Sequence, residues 1–271
     1  MKVFLTGASG FIGMALTKLL SETGYEVTAN GRNQRPGPCP ADVRWLSKAP
    51  SSLTSVDLAD QDCVIHLAAL ANTRGSFSEE LVSVNQELAA HLANCAVAAK
   101  INKFILFSSS KAVSEFSIRE DTQPEPISPY GRSKLAAERV TQKILQGTGV
   151  ELYILRPVPV YGRPLKSNFK MLERIVDLQL PLPLGSITAK RSFLYIENLL
   201  DFVVRMLEEG FESGTYNLAD AHSQTLPEFL SLVAAARGRR LRIFNSPVLL
   251  TFLSRVLPQN ISNLLLHDAD V

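Results

Sequence analysis

A chain of 271 residues, 46% hydrophobic and 20% charged, is long enough for a sizeable core, as one α/β domain with a smaller lobe or as two units. A formal net charge of +2 provides no basic field for gripping nucleic acid, and no stretch approaches the length needed to cross a bilayer. The three cysteines, Cys39, Cys63 and Cys95, lack metal-ligand spacing and read as reduced thiols of a cytoplasmic protein, and the apolar run before Gly7 is too short for a signal peptide.

In chain order, short apolar runs alternate with longer helical patterns, which predicts a doubly wound parallel sheet with helices on both faces. The expected strands are Lys2 to Thr6, Glu26 to Ala29, Val43 to Leu46, Cys63 to Leu67, Phe104 to Ser108 and Glu151 to Leu155. The clearest helices are Phe11 to Thr23, Ser78 to Lys100 and Tyr130 to Gln146. Proline-rich stretches at Asn33 to Pro40 and Glu120 to Pro129 predict loops. Beyond Arg156-Pro157 the rhythm loosens into a helix at Asn168 to Asp177, a turn at Pro181 to Gly185, a segment at Ser192 to Ile196, a helix to Glu209 and a strand at Thr215 to Leu218. The Leu-rich stretch Pro247 to Leu257 reads as a buried or partner-facing helix. This pattern divides the chain into a dinucleotide-binding domain over 1–163, to which 191–218 returns, and a substrate-binding lobe over 164–190 and 219–271.

The first strand runs into Gly7-Ala8-Ser9-Gly10-Phe11-Ile12-Gly13, which opens the first helix. Gly7 permits the tight turn, Gly10 admits a pyrophosphate close to the backbone, and Gly13 lets helix and strand pack closely. The free amides and dipole of the helix start favour the anion. At the end of the second strand, Thr28-Ala29-Asn30-Gly31-Arg32-Asn33 has no carboxylate for the ribose 2'-hydroxyl of NAD, and Arg32 is placed for the extra phosphate of NADP. NADP is therefore favoured over NAD, with both left open.

Tyr130-Gly131-Arg132-Ser133-Lys134 follows Pro129 at a helix start, and a spacing of four sets the phenol and the ammonium on one face. A free phenol near pKa 10 is a poor acid or base at neutral pH, and Lys134 together with a positive nicotinamide ring is expected to lower it. Lys134 also suits the nicotinamide ribose hydroxyls. Upstream, a strand ends in Ser108-Ser109-Ser110 at the sheet edge where open α/β folds bind ligands.

These residues resemble the extended short-chain dehydrogenases/reductases, in the NAD-dependent epimerase/dehydratase family, and within it the nucleotide-sugar epimerases and reductases. The resemblance runs from Met1 to about Leu218 and rests on several motifs in order. They are the three glycines, Asp62-Cys63-Val64-Ile65-His66-Leu67-Ala68-Ala69, Asn85, the three serines, Tyr130-x-x-x-Lys134, and Arg156-Pro157-Val158 leading to Tyr161-Gly162. It implies a Rossmann sheet with catalytic Tyr130, Lys134 and Ser110. It also implies a cofactor site built from Gly7, Ser9, Gly10, Phe11, Ile12, Gly13, Arg32, Leu67, Ala68, Ala69, Ser108, Tyr130, Lys134 and Pro157. Ser110, Asn168 and Arg191 are implied as substrate contacts, the last two toward the diphosphate.

The chain departs from the pattern at Val113-Ser114-Glu115, where Val-Tyr-Gly is usual, and at Leu46-Ser47-Lys48, where an adenine-contacting Asp is usual. Ser110-Lys111-Ala112 replaces the Thr-Asp-Glu of the dehydratases, which removes the extra acid and base that elimination of water requires. The ending at His267-Asp268-Ala269-Asp270-Val271 comes early for the family, with the expectation that part of the substrate lobe is absent or abbreviated.

The expected activity is hydride transfer at C4 of a nucleoside-diphosphate sugar, as a 4-epimerase or a 4-ketoreductase. A different class, an inactive dinucleotide sensor or RNA-associated protein on the same fold, is disfavoured by the intact Tyr130/Lys134 pair. His66 reads as a core histidine, and His91, His222 and His267 lack partners at metal spacing, so no metal is expected. Arg237-Gly238-Arg239-Arg240-Leu241-Arg242 reads as a solvated turn, with no nucleic acid or membrane partner. A homodimer through the two long helices is expected by analogy.

Overall fold

Runs of β-branched and large apolar residues such as Val3-Phe4-Leu5 and Val64-Ile65 suit strands covered on both faces. They build β1 (Lys2–Thr6), β2 (Glu26–Gly31), β3 (Arg44–Ser47), β4 (Cys63–His66), β5 (Lys103–Phe107) and β6 (Glu151–Pro157). The computed structural model describes residues 1–70, 78–163, 167–249 and 268–271, without the side chains of residues 78, 79, 167 and 168. Most of the Leu-rich stretch Pro247 to Leu257, and His267, lie outside the described residues.

The remaining elements are α1 (Phe11–Glu22), α2 (Ser78–Ala98), α3 (Pro129–Leu145), the two-residue β7 (Val160–Tyr161), α4 (Ser167–Asp177), β8 (Lys190–Arg191), β9 (Leu194–Tyr195), α5 (Ile196–Glu208), β10 (Gly214–Leu218), β11 (Gln224–Thr225) and α6 (Leu226–Ala236). Among the described residues the main sheet has seven strands in the order β10-β6-β5-β4-β1-β2-β3. Every pairing in it is parallel. The order reverses between β1 and β4, the switch point at which doubly wound sheets bind ligands.

Contacts divide the chain into two units, Met1–Glu115 with Thr122–Pro157 and Ile196–Leu218, and Phe116–Asp121 with Val158–Tyr195 and Ala219–Val271. The segment that returns to the first unit thus starts at Ile196, because Val158–Tyr195 clusters with the second.

In the first unit the central strands of the sheet are buried on both sides. Phe4, Val64, Phe104, Leu106 and Ile154 join Leu92, Ala93 and Ala96 of α2 and Leu145 of α3 in one cluster. Their neighbours Val3, Leu5, Ile65 and Ile105 are equally buried and belong to the opposite face by strand alternation. Helix α5 buries Ile196, Leu199, Leu200, Val203, Met206 and Leu207, a stripe at helical spacing, and packs against α1.

The second unit is held by α4 and α6 around Leu172, Val176, Phe193, Phe229 and Leu230. Phe193 and Phe229 stack at 4.4 Å. The Arg237 guanidinium closes the helix pair, donating to both Asp177 oxygens at 2.9 and 2.8 Å. A Thr225/Glu228 capping box starts α6. Asp268–Val271 lies beside β8, where Asp268 accepts from the Lys190 amide at 2.6 Å.

Candidate active site

The turn after β1 has the shape that its glycines predict. Gly7 has φ +73°, and a Cβ there would stand 2.7 Å from the Ala68 amide nitrogen. A Cβ on Gly13 would stand 2.2 Å from the Gly7 carbonyl oxygen, so helix and loop meet at a distance that only hydrogen permits. Gly10 begins α1 with no side-chain cap, and no acidic residue occupies the first turn. The helix start is thereby left to an anion.

A cleft of about 720 Å³ opens on this turn, lined by Gly7, Ser9, Gly10, Gly31 and Arg32 on one side and Leu67, Ala68 and Ala69 on the other. Volume, lining and glycine contacts all fit a dinucleotide, and the residues present to hold one are those of the turn, Arg32 and the wall at Leu67–Ala69. The wall is held from behind. Thr6 Oγ1 hydrogen-bonds His66 Nδ1 at 2.7 Å and receives the Ala68 amide at 3.4 Å. His66 is 3% exposed, and burial pulls its pKa down to about 3, which makes it a neutral core residue.

Tyr130 and Lys134 lie near the start of α3. Ser128 caps that helix by accepting from the Gly131 amide at 3.0 Å, and Pro129 takes the first position. A Cβ on Gly131 would come within 2.2 Å of the Lys111 carbonyl oxygen, so only glycine lets α3 seat against the 3-10 turn Ser110–Ala112. That contact draws the serines and the tyrosine together. Lys134 Nζ lies 5.9 Å from the Tyr130 ring centre and donates to the Phe107 carbonyl at 2.8 Å.

Burial raises the Tyr130 hydroxyl above its ordinary value of 10.0, and a hydrogen bond with Ser109 opposes that rise. The lowering expected from Lys134 does not govern the protein on its own: burial of the phenol is the larger influence, and the Ser109 hydrogen bond is what opposes it. Lys134 is buried as well, and its pKa falls to about 8, with the Glu138 carboxylate opposing the fall.

A profile of the NAD dependent epimerase/dehydratase family matches residues 3–219. The chain belongs to that family. Among its relatives, the UDP-glucose 4-epimerase of Vibrio cholerae is 29% identical over 250 residues, spanning 86% of this chain and 75% of its own. The GDP-6-deoxy-D-mannose reductase of Pseudomonas aeruginosa is 27% identical, spanning 91% and 83%. Among solved structures, MoeE5 in complex with UDP-glucuronic acid and NAD is 27% identical with a TM-score of 0.77, covering 91% of this chain and 85% of that one.

The other family-type site residues fall as follows. Ser110 is buried at the head of the 3-10 turn. Phe11, Ile12 and Gly13 form the first turn of α1, and Pro157 ends β6. Ser108 also sits at the strand end, but its hydroxyl is committed to Glu138. Asn85 is 3% exposed and ties the wall to the helix, accepting from the Leu70 amide at 2.8 Å and donating to Ser133 Oγ at 3.0 Å. In the second unit Arg191 is half-buried on β8, where burial lowers its pKa and nearby Asp268 opposes that. The Asn168 side chain lies outside the described residues.

Sequence reasoning missed three residues. Ser109 is the serine that hydrogen-bonds to Tyr130. Glu115, in the departure Val113-Ser114-Glu115, accepts the Ile127 and Ser128 amides at 2.9 Å each and so ties down the loop that delivers α3. Glu138 is buried, with two hydrogen bonds from the Arg156 Nε at 3.0 and 3.2 Å and one from Nη2 at 2.6 Å. Its spacing of four from Lys134 was the available signal. Among the described residues no group of three or more His, Cys, Asp or Glu side chains can hold a metal, and no helix is long and apolar enough to cross a membrane.

Proposed function

We propose that this chain carries out NAD(P)-dependent oxidoreduction at C4 of a nucleoside-diphosphate sugar, as a 4-epimerase or a 4-ketoreductase. The observation that carries this reading is the seating of Tyr130, Lys134 and the Ser109-Ser110 pair together at the end of β5, in the unit that also holds the glycine cleft. The names of the relatives, sugar-nucleotide epimerases and reductases, supply the substrate class. A bound nicotinamide supplies or takes the hydride.

The protein's own part is the proton. Tyr130 gives a proton to the C4 oxygen as a ketone is reduced and takes it back as an alcohol is oxidised. Ser110 holds that oxygen, Ser109 aligns the phenol, and Lys134 stabilises the phenolate form. Asn168 and Arg191 bind the diphosphate, Arg191 by charge-assisted hydrogen bonds, and the second unit is the substrate lobe. Ser110-Lys111-Ala112 offers no added acid and base for dehydration.

Of the two cofactors, NADP and NAD, the ribose end of the cleft favours NADP. Arg32 lines the cleft beside Gly31, where an acidic side chain would repel the 2'-phosphate. A charged hydrogen-bonding partner contributes about 1.5–3 kcal/mol, so Arg32→Ala is expected to weaken NADPH binding by about 10- to 100-fold and leave NADH nearly unchanged. Fluorescence titration with both cofactors reads this, and equal loss for the two contradicts the assignment.

The activity itself is tested with UDP-hexoses and with 4-keto nucleotide sugars plus NADPH. C4 epimers without net cofactor change identify an epimerase; stoichiometric NADPH oxidation identifies a ketoreductase. Tight cofactor binding with no turnover on any nucleotide sugar overturns the reading in favour of a sensor.

A further inference from the structure

The chain leaves the first unit after Glu115, runs through the second as Phe116–Asp121, and is back in the first by Thr122. Within the second unit this excursion is anchored, since the Ile118 amide donates to the Asp270 carbonyl at 2.8 Å. Hydrogen bonds close its neck. The Glu125 amide donates to the Val113 carbonyl at 2.9 Å, the Ile127 amide to Glu115 Oε2 at 2.9 Å and the Ser128 amide to Glu115 Oε1 at 2.9 Å. The first joins backbone to backbone, whereas the other two depend on one side chain. Ser128 in turn caps α3 by accepting from the Gly131 amide at 3.0 Å, and a Cβ on Gly131 would stand 3.1 Å from Glu115 Oε1. The carboxylate therefore lies against the first turn of α3, the turn that carries Tyr130.

We propose that Glu115 is a positioning residue: by clamping the Ile127 and Ser128 amides it holds the start of α3, and with it the Tyr130 hydroxyl, in the place where the proton is transferred. The inference rests on the reading of Tyr130 as the group that gives and takes that proton. Two successive amides on one carboxylate fix both the position and the direction of the chain as it enters the helix, and a negative charge at a helix start is favourable in its own right. Burial works against the charge, but Ser128, the Ile127 amide and Lys111 together hold the Glu115 carboxyl below its ordinary value of 4.5, so both oxygens remain acceptors at neutral pH. Without the clamp, the Glu125–Val113 bond is left to hold the returning chain, and Tyr130 follows the loop. A displacement of about 1 Å at a reacting group costs about 10²-fold in rate. Glu115 acts through the helix backbone and not on the reacting atoms.

The test compares Glu115→Gln with the wild type. Glutamine keeps the size but has one acceptor oxygen, and its NH2 group faces the second amide donor. In cofactor-free 15N-labelled protein, hydrogen exchange at the Ile127 and Ser128 amides is expected to speed up by about 10- to 100-fold, as when a hydrogen bond to a charged group is lost, while the Ile105 amide in the middle of β5 is unchanged. Tyr130 is read separately through its 13Cζ resonance, identified by its absence in Tyr130→Phe, and that resonance is expected to move. With a nucleotide-sugar substrate, kcat is expected to fall by about 10- to 100-fold while KM and cofactor affinity stay within about three-fold. In a Tyr130→Phe background the same substitution is expected to cost less than about three-fold, because no hydroxyl is left to misplace. Glu115→Asp keeps the charge on a shorter arm and is expected to fall between wild type and Glu115→Gln; the same readings are made on it if the glutamine variant does not fold. Unchanged exchange at both amides, an unmoved Tyr130 resonance or an equal loss of kcat in both backgrounds overturns the inference. If the wild type turns over no nucleotide sugar, the proposed function fails by itself, and the Tyr130 resonance decides the inference: displaced, it upholds the clamp, and unmoved, it ends it.

Discussion

Tyr130→Phe is expected to lower turnover by about 10²- to 10⁴-fold, the range over which a positioned acid or base acts, while the affinity for the dinucleotide stays within a few-fold. The ring remains on α3 with Lys134 Nζ 5.9 Å from its centre, so the fold and the cleft are undisturbed. Only the hydroxyl is gone. Steady-state kinetics with a cofactor titration on the same sample separates the two quantities. Turnover within about three-fold of wild type removes Tyr130 from proton transfer, and loss of cofactor affinity in parallel makes it a binding residue instead.

The second large effect is expected at Gly13. An alanine Cβ there would stand 2.2 Å from the Gly7 carbonyl and 2.9 Å from the Ala8 Cα, and both obstacles are backbone that cannot swing aside. Either α1 or the turn must shift, at a cost of about 1–3 kcal/mol or more in stability. The shift also carries the helix-start amides off the pyrophosphate, so Gly13→Ala is expected to lose about 100-fold or more in cofactor affinity, the equivalent of about 3 kcal/mol. Gly37→Ala is the control, since nothing lies within 4 Å of a Cβ there. Thermal denaturation with and without NADPH is the measurement. A Gly13→Ala protein with wild-type midpoint and ligand-induced stabilisation contradicts the close packing.

The first unit was legible because its signals are local. Strand β1 runs from Lys2 to Thr6 as its apolar run indicates, and the other five strands of the core differ from expectation by two residues or fewer at either end. The glycine turn was legible for the same reason, because a positive φ at Gly7 and contact distances at Gly13 leave their mark on residue type. The pairs β7–β9 and β8–β11 were not, because strands of two residues have no period to read and are set by pairing across the chain.

At the candidate site, sequence order places Tyr130 and Lys134 together but is silent on what lies behind them. Glu138 reads as one more surface carboxylate of an amphipathic helix, since Glu is rarely buried. Its burial depends on Arg156, 18 residues away on a strand, and on a serine 30 residues upstream. The engagement of the Ser108 hydroxyl by Glu138 was illegible for the same reason, since it depends on a helix 30 residues further on. Glu115 breaks the family pattern at its position, and its use as a double acceptor for the Ile127 and Ser128 amides emerges only when the loop is closed.

The most direct test of hydride transfer at the sugar carbon is turnover in D2O, with the product examined by NMR at C4. If the nicotinamide delivers hydrogen to that carbon while Tyr130 handles only the oxygen-bound proton, the product of either an epimerase or a ketoreductase has no solvent deuterium at C4. Deuterium at C4 in stoichiometric amount would show that the carbon exchanged with solvent through a carbanion, and would contradict the account.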